Sequence, residues 1–167
     1  MRYTVCRLDE GSRAALTAHF LALSTIDRHL RFGKALAAEV VAAYVERIDL
    51  RRDAVFVARA EDGEIVGAMH VAMEADQAEL GLSVLAAHRR RGVAGALFHR
   101  AVSHARNRSV PKVLMHCAAD NLPIVRLTRK FGMSIATRGG EAVARLDLRP
   151  GFVAPTACGL LGMRIAA

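Results

Sequence analysis

Apolar residues recur along this chain with two periods, and the switches between them mark out the elements. YTVCRL (3–8) alternates apolar and polar positions as a short, half-buried strand does. Leu16, Phe20 and Leu23 then fall at three- and four-residue spacing and predict a helix over about 12–23. LSTIDRHLRFG (23–33) interrupts that period and reads as a connecting loop closed by Gly33. Leu36, Val40, Tyr44 and Ile48, with Val41 and Val45, predict a second amphipathic helix. AVFVARA and EIVGAMHVAM are β-rich runs joined through Asp62-Gly63, a strong hairpin signal. AELGLSVL (78–85) continues them as a third strand of a meander.

After the glycine turn RRRGVAG, Val93, Leu97, Ala101 and Ala105 line one face of a helix, with Phe98 and Val102 beside them. KVLMHCA (112–118) is almost continuously apolar, as a strand buried on both faces would be. A helix over 122–130 begins at Pro123 and ends at Phe131-Gly132, and AVARLDL (142–148) alternates as the last strand. The remainder carries prolines and glycines without a period. It reads as an irregular tail, 151–167, packed on the domain or on a partner copy in a homodimer. With no internal repeat and no low-complexity linker, residues 1–150 make one α/β domain with mixed strand pairing.

Composition narrows the class. A chain of 167 residues suits one domain, and a domain near that size buries roughly 70% of its unfolded surface. With 53% hydrophobic and 24% charged residues it is globular. Cys6, Cys117 and Cys158 are odd in number and form no CxxC pair, which argues against a disulfide framework or a metal site and for a reducing compartment. MRYTVCRLDE lacks the apolar core of a signal peptide and no long apolar run follows, so the expectation is a cytoplasmic protein without a membrane partner. The net charge of +8 is carried almost wholly by arginine and points to an anionic partner.

The arginines concentrate where they are least expected. Arg89, Arg90 and Arg91 directly precede a helix, whose N-terminus already carries partial positive charge. A phosphate bound there would make them favourable: helix N-termini expose N–H groups, glycine permits close approach, and arginine suits phosphate geometry. The turn lacks the Gly-Lys-Ser/Thr of a Walker loop, and Leu97 stands where the dinucleotide fingerprint needs a third glycine. A solvated arginine run is the plainer alternative. A nucleic-acid partner is disfavoured, because single-strand binding wants aromatics among the basic residues and none lies within 89–91.

The order strand, R-x-x-G-x-A turn, helix, buried strand, asparagine and second helix resembles the GNAT family, the Gcn5-related N-acetyltransferases, from about Ala54 to Leu148. Arg89-Arg90-Arg91-Gly92-Val93-Ala94 matches the family's acetyl-CoA turn Q/R-x-x-G-x-G/A. Asn121, Leu127 and Gly132 meet N-x-x-A-x-x-L-Y-x-x-x-G-F, while Ile124, Thr128 and Met133 depart from it. The resemblance implies a mixed, mostly antiparallel sheet flanked by helices and splayed at the cofactor strand. It also implies acetyl-CoA as co-substrate, with no metal. Leu82, Ser83 and Val84 would pair with the pantetheine arm, and Arg90, Arg91, Gly92, Val93, Ala94 and Gly95 would take the pyrophosphate. Asn121 would either bond the pantetheine region or simply cap its helix.

The implied chemistry is direct attack of an amine on the thioester, which needs a base for the amine and an N–H donor for the oxyanion near Val84. Glu79 is the first candidate base and Glu74 the second, with His70 and His116 behind them. Each carboxylate could equally be a solvated rim residue, and each histidine a satisfied core group. The family's acid, a tyrosine, is replaced by Thr128, a poor proton donor; Tyr3 and Tyr44 lie far away in sequence and are not nominated. Ser24, Arg28, Leu30, Arg31 and Phe32 look like the S-x-x-S-R-Y-L-R-F segment of bacterial protein-lysine acetyltransferase domains, with Asp27 and His29 as departures. A small amine, a protein lysine or an N-terminus all fit as acceptor. The rival reading is a domain that binds acyl-CoA as a sensor without turnover.

Overall fold

A computed structural model describes residues 2–148 and 164–165. The elements run β1 (Tyr3–Arg7), α1 (Arg13–Ala22), α2 (Thr25–Phe32), α3 (Ala38–Glu46), β2 (Ala54–Arg59), β3 (Ile65–Met73), β4 (Ala78–Val84), α4 (Val93–Asn107), β5 (Lys112–Ala118), α5 (Leu122–Lys130), β6 (Ser134–Arg138) and β7 (Glu141–Asp147). A two-residue β8, Arg164–Ile165, pairs antiparallel with Tyr3 and Thr4. The rest of the expected irregular tail lies outside the described residues.

The sheet order is β6-β7-β5-β4-β3-β2-β1-β8. Every pair is antiparallel except β4–β5. The mixed, mostly antiparallel α/β architecture is therefore the one expected. Helices cover both faces at the centre of the sheet, so β2 is buried on both sides. Val55 and Val57 join Leu16, Phe20, Val41 and Val45 under α1 and α3, while Phe56 and Ala58 join Met69, Leu80, Leu97 and Phe98 under α4. Gly67 sets how closely α4 approaches β3, since a β-carbon there would lie 2.8 Å from Val93 Cγ1 and 3.0 Å from Leu97 Cδ1.

Three segments differ from the sequence expectation. The stretch 23–33 is a helix, not a loop. Ser24 caps it by accepting the Asp27 N–H (3.1 Å), Asp27 sits in its first turn, and Gly33 closes it in the left-handed conformation at φ 75°. Only Leu30, Phe32 and their neighbours supply apolar surface, too little to sustain the helical period seen in α1. The second difference is β6, whose SIATR sequence has mostly exposed side chains and hence no alternation to announce it. The third is β5, which is buried on one face only: Val113 and Met115 face the core, whereas His116 on the other face is exposed. That open face borders the candidate site.

Candidate active site

Strands β4 and β5 pair only at Ala78↔Val113 and Glu79↔Leu114, and beyond these residues they part. The Leu85 N–H donates to the Val66 carbonyl at 2.9 Å, so by antiparallel alternation Ser83 and Gly81 direct their backbone groups to β3. Leu82 and Val84 therefore turn theirs into the gap. Ser83 is the exception among the three predicted strand residues. Its hydroxyl donates to His19 Nε2 (2.8 Å), while His19 Nδ1–H donates to the Ile65 carbonyl (2.7 Å), tying β4 to α1 behind the gap.

The gap ends at the arginine turn. Arg90 takes a left-handed conformation at φ 62°, and Gly92, the residue before α4, does so at φ 81°. Strain of this kind in a non-glycine residue is characteristic of ligand-binding turns. The first intrahelical bond of α4 runs from the Ala96 N–H to the Gly92 carbonyl, which leaves the N–H groups of Val93, Ala94 and Gly95 without helical partners. No acidic residue stands in the first turn, and a β-carbon on Gly95 would meet nothing within 4 Å. Unpaired N–H groups, exposed Arg90 and Arg91, and the helix dipole converge on an accessible surface that suits a phosphate.

The arginines of the turn do different jobs. Arg89 reaches back, donating from Nε to the Val84 carbonyl at 3.0 Å and pairing with Asp27 of α2 at 2.6 Å. Arg91 donates to the Tyr3 hydroxyl (3.5 Å), which also bonds His88 Nδ1 (3.1 Å). Asn121 sits at the end of β5, before α5. Its side chain makes no cap hydrogen bond, so the capping alternative is not the one realised.

Glu79 lies where the strands begin to part, exposed, on the same face as Gly81, Leu114 and His116 by register. Glu74 belongs to the β3–β4 turn, at the same end of β4 as Glu79, and its side chain accepts a bond from Gln77 at 2.7 Å. Thr128 is fully buried, and its hydroxyl donates to the Val125 carbonyl one helical turn back (3.0 Å). The position that would hold the acid tyrosine thus points into the protein.

A polar chain runs beneath the open face. Asp53 is a carboxylate and can only accept, so His70 Nε2 carries the proton toward it (3.2 Å) and Nδ1 accepts the Tyr44 hydroxyl (2.7 Å). The Tyr44 oxygen accepts in turn from Arg31 Nη2 (2.9 Å). Burial, then the Arg31 charge, pushes His70 below its ordinary value despite Asp53. Burial also pushes His19 down, to about 4, against the Ile65 hydrogen bond that favours its charged form. Burial pushes Asp53 up, but Arg52, the Met73 N–H and His70 outweigh it and hold the carboxyl low. Both histidines are therefore neutral near pH 7.

Tyr3 and Tyr44 are the site residues that sequence reasoning passed over. Neither carries a local signal, because each is brought in from a distant element. Among the described residues no group of three His, Cys, Asp or Glu could hold a metal ion, and no helix is long and apolar enough to cross a membrane.

The parted strands and anion-ready helix end are what acetyl-CoA requires: a backbone edge for the pantetheine amides and N–H groups for the pyrophosphate. The comparisons agree. The chain matches the GNAT domain of S. lividans PAT at 21% identity, covering 86% of this chain and 89% of that one with a TM-score of 0.74. It matches yncA, a putative acetyltransferase from Salmonella typhimurium determined with its cofactor acetyl-CoA, at 20% identity, 93% and 99% coverage and a TM-score of 0.69. An N-acetyltransferase from Staphylococcus aureus Mu50 matches at 18% identity, 88% and 99% coverage and a TM-score of 0.70. No curated protein matches the chain. The family model "Acetyltransferase (GNAT) family" covers residues 21–133, from the end of α1 through the arginine turn to the close of α5, and the chain belongs to that family of acetyl-CoA-dependent acetyltransferases.

Proposed function

We propose that this protein transfers the acetyl group of acetyl-CoA to a primary amine by direct attack, with Glu79 as the base. The observation that carries the reading is the parting of β4 from β5 immediately beyond Glu79, which sets a carboxylate at the root of a backbone-lined gap leading to the α4 N-terminus. Bound acetyl-CoA supplies the electrophilic thioester carbonyl. Glu79 takes one proton from the ammonium, and the neutral amine forms the new C–N bond as the C–S bond breaks. The second nitrogen proton ends on the departing sulfur. The gap-facing N–H groups of Leu82 and Val84 are the candidate donors to the carbonyl oxygen, where preorganised donors lower the barrier. Val93, Ala94 and Gly95, with Arg90 and Arg91, take the pyrophosphate.

The sequestered Thr128 hydroxyl favours one alternative, a domain that binds acetyl-CoA without turning it over. Thiol release from acetyl-CoA, followed in the presence of a panel of primary amines, separates the two. Amine-dependent release supports the enzyme; tight acetyl-CoA binding with no release from any amine supports the sensor. The basic charge is assigned to the cofactor and not to nucleic acid. Accordingly, raising salt should weaken any nucleic-acid association much more steeply than acetyl-CoA binding.

A further inference from the structure

Arg31 is an unusual guanidinium. Its Cζ lies 4.8 Å from the Phe32 ring centroid, 5.6 Å from Phe20 and 5.7 Å from Tyr44, so three aromatic rings surround it. Its Nε is buried without any hydrogen-bond partner. The ion pairs among the described residues all lie elsewhere, so no carboxylate stands within 4 Å of it. Its one polar protein contact is the Tyr44 hydroxyl, which takes Nη2. Nη1 has no protein partner among the described residues. The nearest carboxylate along the chain of hydrogen bonds, Asp53, is two side chains away and shared with Arg52.

The fork of this arginine rests on the strand that lines the gap. A β-carbon on Gly81 would lie 2.5 Å from Cζ and 2.8 Å from Nη1, so any larger residue at 81 would displace the guanidinium. Gly81 has an ordinary φ, and hence the glycine serves space here and not conformation. Leu82, whose N–H faces the gap, is the next residue, about 3.3 Å along the strand. Glu79 is two residues the other way, on the same face as Gly81. A planar, bidentate cation in an aromatic surround, lacking a carboxylate and set beside the reacting position, is a receptor for a carboxylate.

We infer that Arg31 binds the carboxylate of the acceptor, and that the acceptor is a small molecule carrying its amine and carboxylate on one carbon, a free α-amino acid. The fork packs on Gly81 and Leu82 is the next residue of β4, an arrangement that suits an amine and a carboxylate carried on one carbon. It does not match a lysine side-chain amine, which stands several carbons from its backbone and has no adjacent carboxylate when in a peptide. The same lock explains why Gly81 is tolerated inside a strand, where glycine is otherwise a weakening choice. This inference rests on the acetyl-transfer reading above and names its substrate class.

The test compares each of the twenty amino acids with its own carboxamide, and with a lysine-containing peptide blocked at both ends, as acceptors for the wild-type protein. The carboxamides keep the amine and side chain and lose the carboxylate charge, and their less basic amine works against the expected preference for the acid. We expect at least one amino acid to exceed its carboxamide by about tenfold to a hundredfold in kcat/KM, as loss of a hydrogen-bonded charge pair predicts. Arg31→Gln should bring that ratio to about one, with the change carried by KM of the acid, and Arg31→Lys should keep part of it. Should either variant fail to fold, the wild-type comparison still decides. Equal rates for acids and amides, or a preference for the blocked peptide, overturn the carboxylate assignment while leaving acetyl transfer standing. Absence of thiol release with every amine, in protein that binds acetyl-CoA, overturns the catalytic reading itself.

Discussion

The turn from Arg89 to Gly95 offers its ligand mainly backbone N–H groups, whereas the face around Gly81 offers side chains drawn from α2, α3, β3, β4 and β5. At the turn the chemistry is local. Arg90 and Gly92 in the left-handed region and an uncapped helix start are enough to build an anion site within seven consecutive residues. Around Gly81 nothing is local. Arg31, Tyr44 and His70 are joined by hydrogen bonds over sequence separations of 13 and 26 residues. A site made of backbone tolerates many side chains and is suited to an invariant cofactor. A site made of side chains can be rebuilt without disturbing the sheet, which suits a varied acceptor.

Removing the proposed base is the sharpest way to separate the two regions. Glu79→Gln should lower turnover by about 10²–10⁴, the usual worth of a positioned general base, while acetyl-CoA binding stays near wild type by calorimetry. The rising limb of its pH–rate profile should flatten or shift. An unchanged rate and profile would move the base to His116, which shares the exposed face, or to water held by the substrate. Glu74, in the turn that leads into β4 and engaged by Gln77, is the other carboxylate at that end and the next to substitute.

Acid should damage the face around Gly81 first, because that side holds two neutral buried histidines. His19 has its folded value pushed down to about 4 from an ordinary 6.5. The unfolded chain therefore binds the extra proton first. The stability contributed by neutral His19 is present above about 6.5 and is lost as pH falls toward 4, amounting to about 3 kcal/mol when complete. His70 shifts in the same direction and adds to it. Urea unfolding at pH 7 and pH 4 measures the loss, and His19→Gln should show a visibly smaller difference between the two. Equal losses in wild type and variant would mean that His19 is not held neutral.

Legibility in the sequence follows the same division. The turn could be read because its anomaly is contiguous: three arginines at the end of a helix that repels them demand a counter-charge, and glycine says where it sits. The meander and α4 could be read because helices on both faces keep their apolar periods intact. The face around Gly81 could not. α2 has few core contacts, so capping by Ser24 and Gly33 holds it where periodicity is silent. β6 is exposed on most positions, and β5 reads as doubly buried when His116 is in fact outside. Tyr3 and Tyr44 become site residues only through pairing and packing that no spacing announces.

A milder perturbation tests the backbone character of the turn. Gly92→Val forces a branched residue into φ 81° and places a side chain where the pyrophosphate would approach. We expect acetyl-CoA to bind about tenfold to a hundredfold more weakly. Arg91→Ala, whose side chain is partly engaged with Tyr3, should cost less than Gly92→Val. Wild-type affinity in Gly92→Val would place the pyrophosphate elsewhere and remove the contrast between the two regions.

The smallest effect belongs to Thr128, and it bears on how the thiol leaves. At that position the family pattern has a tyrosine, and a missing acid could be read as a damaged site. The structure gives a different account: the threonine side chain is fully buried and its hydroxyl is spent on the Val125 carbonyl. Thr128→Ala should accordingly reduce turnover less than tenfold, or about 1.4 kcal/mol, with any larger effect appearing in thermal stability. The wild-type pH–rate profile should show no falling limb near the tyrosine value of about 10, since no tyrosine stands at this position to lose its proton there. Thr128→Tyr should not install one, because a ring added to a packed position costs about 1–3 kcal/mol in strain before it reaches the gap. A hundredfold loss of turnover in Thr128→Ala, with acetyl-CoA binding and melting temperature intact, would make the threonine a direct participant. It would also mean that α5 moves during the reaction, because only a shift of that helix could bring a buried hydroxyl to the departing sulfur.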